Sequence, residues 1–492
     1  MAKITTVIDI GSNSARMAIF QKTSRFGFYL LCEMKSKVRI SEGSYQFGGV
    51  LQDVAMSRAL KALNDFKQIS QKYGSKKLLC VATSAIRDAP NAKDFIALVK
   101  RNCGIQIKVI DGQKEAFYGG IACANLSHKK DGITIDIGGG STECAFIKDG
   151  KIVDLVSLNI GTIRLKELFF DKKEDLRAAK EFIKKEIEKI PQTYRHSNVF
   201  GIGGTIRAIS KMIMRNSRYP IDVLHGYEVD VKNHQGFIEK IYMTKEDKLA
   251  SLGVTEDRKD NIRSGALILS VLLEIFGTQT ITTSGVGVRE GVFLSDLLRN
   301  QKYAFPKGLN PSLCSLNDRF LTHKKHAQNV KRECLKIFDA LKQCHQIDEK
   351  YTWHLGIAGE LSSVGRRLSF YDSHEHSAYF LLHSLDYGFS HQDKAIICLL
   401  AQFSNKKIPK DNSIAHISDI MPPILTLQWL SFILGMAEAM CVVDVPKGLC
   451  YAYEAGVLKI KSTSELYLSK EAVMRLVKPL DFEIKFFWEK AS

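Results

Sequence analysis

"TIDIGGGSTECAFIKDGK", from Thr134 to Lys151, decides how the chain is read. An apolar run ends in Asp136. Gly138, Gly139 and Gly140 follow, and Ser141, Thr142 and Glu143 open the next run. Glycines let bare backbone approach a ligand without a Cβ in the way, and successive N–H groups in a turn suit an anion. The stretch predicts strand, tight polar loop and strand, with the loop around something small and charged.

The same unit occurs earlier. "VIDIGSNSARMAIF" aligns without a gap on "TIDIGGGSTECAFI". Asp9 meets Asp136, Gly11 meets Gly138 and Ser14 meets Ser141, at a constant offset of 127 residues (136 less 9). A duplicated unit builds two similar half-sites that can face each other across a cleft. A third loop, "FGIGGTIRAIS", follows an apolar run, and Gly203, Gly204 and Thr205 then open a helix. Exposed N–H groups at a helix N-terminus attract phosphate oxygens. Neither a Walker A pattern nor a Rossmann fingerprint is present.

Around these loops strands alternate with helices. "KITTVIDIG", "ARMAIFQK" and "FGFYLLCEMK" read as strands. An amphipathic helix covers residues 53–73, with Ala55, Ala59, Leu63 and Phe66 on its apolar face. "KLLCVAT" and "IQIKVIDG" continue the strands, and helices fall on "NAKDFIALVKRN" and on residues 114–125. The alternation indicates an α/β class with a partly parallel sheet.

Length suggests about three domains, and ten prolines leave little room for disordered linkers. The start of the chain lacks a basic n-region and does not read as a signal peptide. "ILTLQWLSFILGMAEAM", residues 424–440, is interrupted by Gln428 and Glu438 and reads as a buried helix, not a membrane span. Eleven scattered cysteines without a C-x-x-C pair point to reduced thiols in a cytoplasmic protein. The formal net charge is +17. Residues 1–303 hold 47 basic and 33 acidic side chains, and the remainder 23 and 20, so the surplus lies with the glycine loops. A basic surface implies an anionic partner, such as a phosphate polymer, a nucleotide, nucleic acid or acidic lipid; the bland alternative is a general bias that aids solubility.

Paired D-x-G-x-x-S/T hairpins plus G-G-T resemble the phosphate clamp of the actin-like ATPase superfamily. Within it, "DIGSNSAR", "VATSAIRDAPN", "IDIGGGSTE", "GIGGT" and "TTSGVGVREG" together resemble the exopolyphosphatase/guanosine pentaphosphate phosphohydrolase (Ppx/GppA) family. The resemblance covers residues 1–303, and the segment beginning "SHEHSAYFLLHSLDYGFSHQDK" resembles the HD-type helical domain of longer members. It implies two actin-like, ribonuclease H-like lobes around a cleft, residues 1–125 and 126–303, then a mainly α-helical HD-like C-terminal domain, residues 304–492. It also implies a cytoplasmic homodimer that acts on guanosine pentaphosphate, inorganic polyphosphate or both, with no membrane and no specific nucleic acid as partner.

The resemblance carries roles to individual residues. Glu115, in "DGQKEAFYGG", matches the family's catalytic Glu; taken alone it is an ordinary first-turn Glu favoured by the helix dipole. Arg87, in "TSAIRDA", matches a cleft arginine; taken alone it is equally a surface arginine. Gly11, Ser12, Asn13, Ser14 and the weaker candidate Arg16 would bind phosphate from the first lobe. Gly138, Gly139, Gly140 and Ser141 would do so from the second, with Gly203, Gly204 and Thr205. Asp136 and Glu143, with Asp9 facing them, suit Mg²⁺ or another divalent cation. Lys114 stands where the family usually has another acid. Arg289 and Glu290 read as structural or nucleotide-adjacent. The expected H-D pair is missing near His374 and His376, so the C-terminal domain reads as non-catalytic, with those histidines capping or packing helices. Two other classes stay open: an ATPase or kinase of the same superfamily, and a non-enzymatic module that binds an alarmone or polyphosphate.

Overall fold

The computed structural model describes residues 3–171, 175–404, 407–446 and 448–488. The chain divides into two compact units, Met1–Pro311 and Ser312–Ser492. Residues 304–311, expected with the C-terminal domain, belong to the first unit, where the Phe305 N–H donates to the Asn125 side chain at 3.1 Å.

The first unit contains two sheets. In the first lobe β1 (Ile4–Ile10), β2 (Ala15–Lys22), β3 (Phe28–Ser36), β4 (Lys77–Ala82) and β5 (Ile107–Val109) lie in the order β3-β2-β1-β4-β5. β1 pairs antiparallel with β2 and parallel with β4, which gives the mixed sheet expected. The helix Asp53–Lys72 buries Ala55, Ala59, Leu63 and Phe66, the face that the spacing predicts.

The second lobe repeats the pattern. β6 (Gly132–Ile137), β7 (Thr142–Lys148), β8 (Lys151–Leu158), β9 (Asn198–Ile202), β10 (Glu228–Asp230) and β11 (Thr280–Thr283) lie in the order β10-β11-β9-β6-β7-β8. The duplicated hairpins close alike. The Gly11 N–H donates to the Ser14 carbonyl at 3.1 Å, and the Gly138 N–H to the Ser141 carbonyl at 2.9 Å. Asp9 faces Arg16 across β1–β2, and Asp136 faces Glu143 across β6–β7, at the same offset.

Two helices cross between the lobes. The helix Gly112–Leu126 follows the first lobe in sequence but packs on β6, β7 and β8 of the second. Its Gly120 allows this, because a Cβ there would lie 2.9 Å from Ala145 Cβ and 2.8 Å from Ile152 Cδ1. The helix Val288–Leu297 ends the second lobe in sequence but packs on β1 and β2 of the first. Phe293 stacks on Phe20 with ring centroids 4.5 Å apart, and Lys77 pairs with Asp296 at 2.5 Å. The two helices touch where Gly291 lies against the Tyr118 backbone.

The second unit packs mostly helices, Lys324–Ala340, Tyr351–Leu361, Ser373–Ser384, His391–Gln402 and Ile424–Met440, around one apolar core that includes Trp429. The last of these is the buried helix that the sequence predicts. Among the described residues no single helix is long and apolar enough to cross a membrane. A small sheet of β12 (Cys450–Glu454), β13 (Val457–Ser462) and β14 (Glu483–Trp488) ends the unit. The expected helical domain contains no such sheet, and its short, half-exposed strands alternate weakly. All eleven cysteines are free thiols.

The helix crossing yields a test. A Cβ on Gly291 would stand 1.9 Å from the Tyr118 carbonyl oxygen, a backbone atom that cannot rotate away. Gly291→Ala is expected to destabilise the first unit by about 1–3 kcal/mol or more, as overpacking does. Calorimetry should show its melting transition lowered by at least about 2 °C; an unchanged transition would show that the crossing yields freely.

Candidate active site

The cleft between the two sheets encloses about 980 Å³, part of it open to solvent. Three backbone turns form its walls. Gly11–Ser14 joins β1 to β2, Gly138, Gly139 and Ser141 join β6 to β7, and Gly203–Thr205 opens the helix Gly203–Asn216. Close packing requires glycine at the second and third of these turns. A Cβ on Gly203 would meet Asp136 Oδ1 at 2.3 Å, and one on Gly139 would meet Ser12 Cβ at 2.9 Å. Gly203 also has φ +78°, a left-handed backbone that favours glycine. Gly140 is absent from the wall, and its carbonyl accepts from Arg164 Nε at 3.0 Å.

The expected carboxylates gather here. Asp9, Asp136 and Glu115 line the cleft. Glu143 lies behind the wall, 2 % exposed, and accepts from Ser157 Oγ at 3.1 Å. Among the described residues no three His, Cys, Asp or Glu side chains converge as ligands for one metal ion. Asp9 Oδ1 and Glu115 Oε2 are buried without a hydrogen-bond partner.

Burial dominates their protonation. It pushes Asp9 up to about 6 despite Arg289 and Arg16. It raises Asp136 against the pull of Arg207 and Arg16. It pushes Glu143 up to about 8, opposed by the Ser141 and Ser157 hydroxyls and helped by the charge on Asp136. Glu115 is raised well above the usual carboxylate range by burial, then by Glu143, Asp9 and Asp136.

Arg87 stands elsewhere than a phosphate-clamping arginine should. It is absent from the cleft wall; Nη1 donates to the Ile110 carbonyl at 3.2 Å and lies 3.7 Å from Glu115 Oε2. It therefore sits beside the candidate base and lowers that carboxyl. Lys114 points away from the acids, with Nζ 4.1 Å from the centre of the Phe117 ring. In the second unit His374 lies 3.8 Å from its neighbour Glu375 at the start of a helix.

Four cations on the wall, Arg207, Arg258, Arg289 and Lys35, were not assigned to phosphate from sequence. Arg207 could have been found, since it lies one helical turn after Gly203 in the third glycine loop. Its Nε donates to the Ser284 carbonyl at 2.7 Å and Nη2 to the Val286 carbonyl at 3.0 Å. Arg289, read as structural or nucleotide-adjacent, lines the cleft while Nη1 pairs with Glu33 at 2.6 Å. Glu290 accepts from the Gly287 N–H and caps its own helix. Arg258 lies over Gly204, where a Cβ would meet its guanidinium at 2.4 Å. No local motif marks Arg258 or Lys35, because the fold alone brings their segments to the cleft.

Comparison with known proteins places this arrangement. Residues 18–300 match the Ppx/GppA phosphatase family, and residues 310–437 match Ppx/GppA phosphatase, domain III. A protein of Photobacterium profundum named guanosine-5'-triphosphate,3'-diphosphate pyrophosphatase is 26% identical over 427 residues, which is 84% of each chain. The crystal structure of an Aquifex aeolicus member of the Ppx/GppA protein family is 28% identical with TM-score 0.52, covering 61% of this chain and 99% of that one. The crystal structure of an exopolyphosphatase from Cytophaga hutchinsonii ATCC 33406 is 25% identical with TM-score 0.56, covering 60% and 97%.

The buried acids make stability depend on pH. A carboxyl whose folded pKa exceeds its unfolded value binds its proton more tightly when folded, so that contribution is lost as pH rises. For Glu143 the window runs from 4.5 to about 8. In ligand-free protein, Glu143→Gln should melt close to wild type at the acid end of this window and increasingly above it towards the alkaline end. A difference that stays flat across the window would show that Glu143 ionises normally.

Proposed function

The chain belongs to the Ppx/GppA phosphatase family, and on that footing we propose that this phosphoric anhydride hydrolase removes the terminal phosphate of guanosine pentaphosphate, inorganic polyphosphate or both. The names of its relatives support both substrates. The observation that carries the reading is Glu115. Its side chain lines a cleft walled by three phosphate-type turns, and its buried Oε2 has no hydrogen-bond partner.

The turns bind the terminal phosphate through backbone N–H groups of Gly138, Gly139 and Ser141 and of Gly203–Thr205, with Gly11–Ser14 opposite. Glu115 orients a water and accepts its proton as the new P–O bond forms. The anhydride P–O bond breaks, and the electron pair leaves with the rest of the nucleotide or polymer. Arg87, 3.7 Å away, favours the ionised form of Glu115 and thus its action as a base. Burial excludes bulk water and strengthens every charge interaction on the wall.

The residues also fit Mg²⁺. The ion usually takes one or two carboxylates and completes its shell with water and substrate phosphates, so a cage of three protein ligands is not required. The bare Asp9 Oδ1 and the Asp136 carboxylate, both on the cleft wall, supply that donor set, and Glu143 stands behind the wall across the hairpin from Asp136. When bound, the ion would neutralise phosphate oxygens and offset the repulsion among the acids.

Two measurements follow. Glu115→Gln keeps the size of the side chain and removes the base; kcat should fall on the order of 10²-fold or more, with KM nearly unchanged. Near-normal turnover by the folded variant would remove Glu115 from the mechanism. Asp136→Asn should raise the Mg²⁺ concentration that gives half-maximal phosphate release by about tenfold. Retention of the wild-type Mg²⁺ dependence would place the ion elsewhere.

A further inference from the structure

A second cavity, of about 1060 Å³ and partly open to solvent, lies against β4, β5 and the crossing helices. Its size compares with small-molecule clefts, which run to roughly 1,000 Å³. The parallel pair β4–β5 forms its floor. Leu78, Cys80 and Ala82 of β4 pack with the core that holds the helices Asp53–Lys72 and Ala92–Cys103. Strand alternation turns Leu79 and Val81 to the other face, and Lys108 lies in register with Val81. A parallel pair is normally covered on both faces. Here the helix Val288–Leu297 packs on β1 and β2, and Leu79 stays half-buried. Both crossing helices run from the cleft to this cavity. The helix Gly112–Leu126 sets Glu115 on the cleft and Tyr118 on the cavity, about one turn apart. The helix Val288–Leu297 sets Arg289 on the cleft and Val292, Ser295 and Asp296 on the cavity.

The wall combines two chemistries. Leu79, Val81, Val292 and Tyr118 supply apolar surface, and Gln106 and Ser295 add hydrogen-bonding groups. Asp296 is the one acid among the described residues of the wall, and it already pairs with Lys77 at 2.5 Å and with Arg299 at 3.5 Å. Lys108 is exposed and has no ion-pair partner among the described residues. A phosphate polymer has no apolar surface to place on this wall, and a neutral hydrocarbon leaves Lys108 unanswered. We propose that the cavity is a second ligand site, for a small molecule that joins a flat ring to one anionic group, of the class of a purine nucleoside monophosphate. The ring lies against Tyr118 and the aliphatic wall, and the phosphate meets Lys108. A ligand seated there touches the helix that carries Glu115, so its occupancy changes turnover. That consequence alone rests on the hydrolase reading above.

Adenosine 5'-monophosphate is the probe, since it has no anhydride bond to cleave. Calorimetric titration of the full-length protein should detect it while the cleft is saturated with imidodiphosphate, whose P–N–P bridge resists hydrolysis. Adenosine and ribose 5-phosphate, its two halves, should each bind about tenfold more weakly or worse. Lys108→Glu should weaken adenosine monophosphate about tenfold or more, with imidodiphosphate held within about twofold of wild type. Ser295→Phe fills the cavity without changing its charge and should give the same pair of results. If Ser295→Phe does not fold, Lys108→Glu decides alone, because Lys108 is exposed. Displacement of the probe by imidodiphosphate, or equal affinity in Lys108→Glu and wild type, would overturn the second site. Bound probe should change kcat about twofold or more in wild type and leave it unchanged in Lys108→Glu. A wild-type kcat that ignores bound probe would overturn the link to turnover. Failure to hydrolyse either proposed substrate would sink the hydrolase reading, and the binding comparison would still decide the site.

Discussion

The constraint on which the first unit depends is the burial of charge in one narrow cleft. Asp9, Glu115, Asp136 and Glu143 lie together, and Arg16, Arg207 and Arg289 lie close by. Each buried ion costs several kcal/mol of desolvation unless something offsets it. The protein offsets part of the cost by fixing Arg207 on carbonyls and Arg289 on Glu33. The acids are left underneutralised and hold their protons more tightly than free side chains do. The hydrolase reading proposed above answers this imbalance with a ligand that carries both a cation and several anionic oxygens.

The duplicated hairpin shows how one backbone serves two electrostatic ends. Both copies close with a glycine N–H on a serine carbonyl three residues on. Both place an Asp at the end of the first strand. The residue facing that Asp is Arg16 in one lobe and Glu143 in the other. An opposite charge faces Asp9 across the first hairpin and lowers it, and a like-charge pair strains the second. The strain is tolerated because Ser141 and Ser157 donate to Glu143 and because protonation relieves it. The repeated geometry closes the same turn twice, and the substitution at this single position sets a cation opposite one Asp and an acid opposite the other.

The crossed helices couple the chemistry to the fold. Glu115 rides on the helix Gly112–Leu126, which comes from the first lobe and packs on the second. Arg289 rides on the helix Val288–Leu297, which makes the reverse crossing. The candidate base and one of the arginines are therefore held by the elements that join the lobes. Small residues make the crossing close, since Gly291 and Gly120 admit backbone and side chains that a Cβ would exclude.

Much of the fold and part of the site were legible in the sequence. Strand and helix periods, glycine at turns and the 127-residue repeat are local properties, and local sterics determine them wherever the chain goes. The amphipathic face of residues 53–73, a helix that ends at Lys72, and the buried helix at 424–440 are legible for that reason. Asp9, Asp136 and the three glycine turns lie in or beside those motifs, and they do line one cleft. The small C-terminal sheet was missed because its strands are short and only partly buried, so their alternation is faint. Tertiary structure alone decided what each charged side chain faces. Arg87 lies beside Glu115 and off the wall, and Arg207, Arg258 and Arg289 reach the cleft from segments far apart in sequence. Charge acts through space and through the dielectric around it, and neither distance nor burial is written in the order of residues.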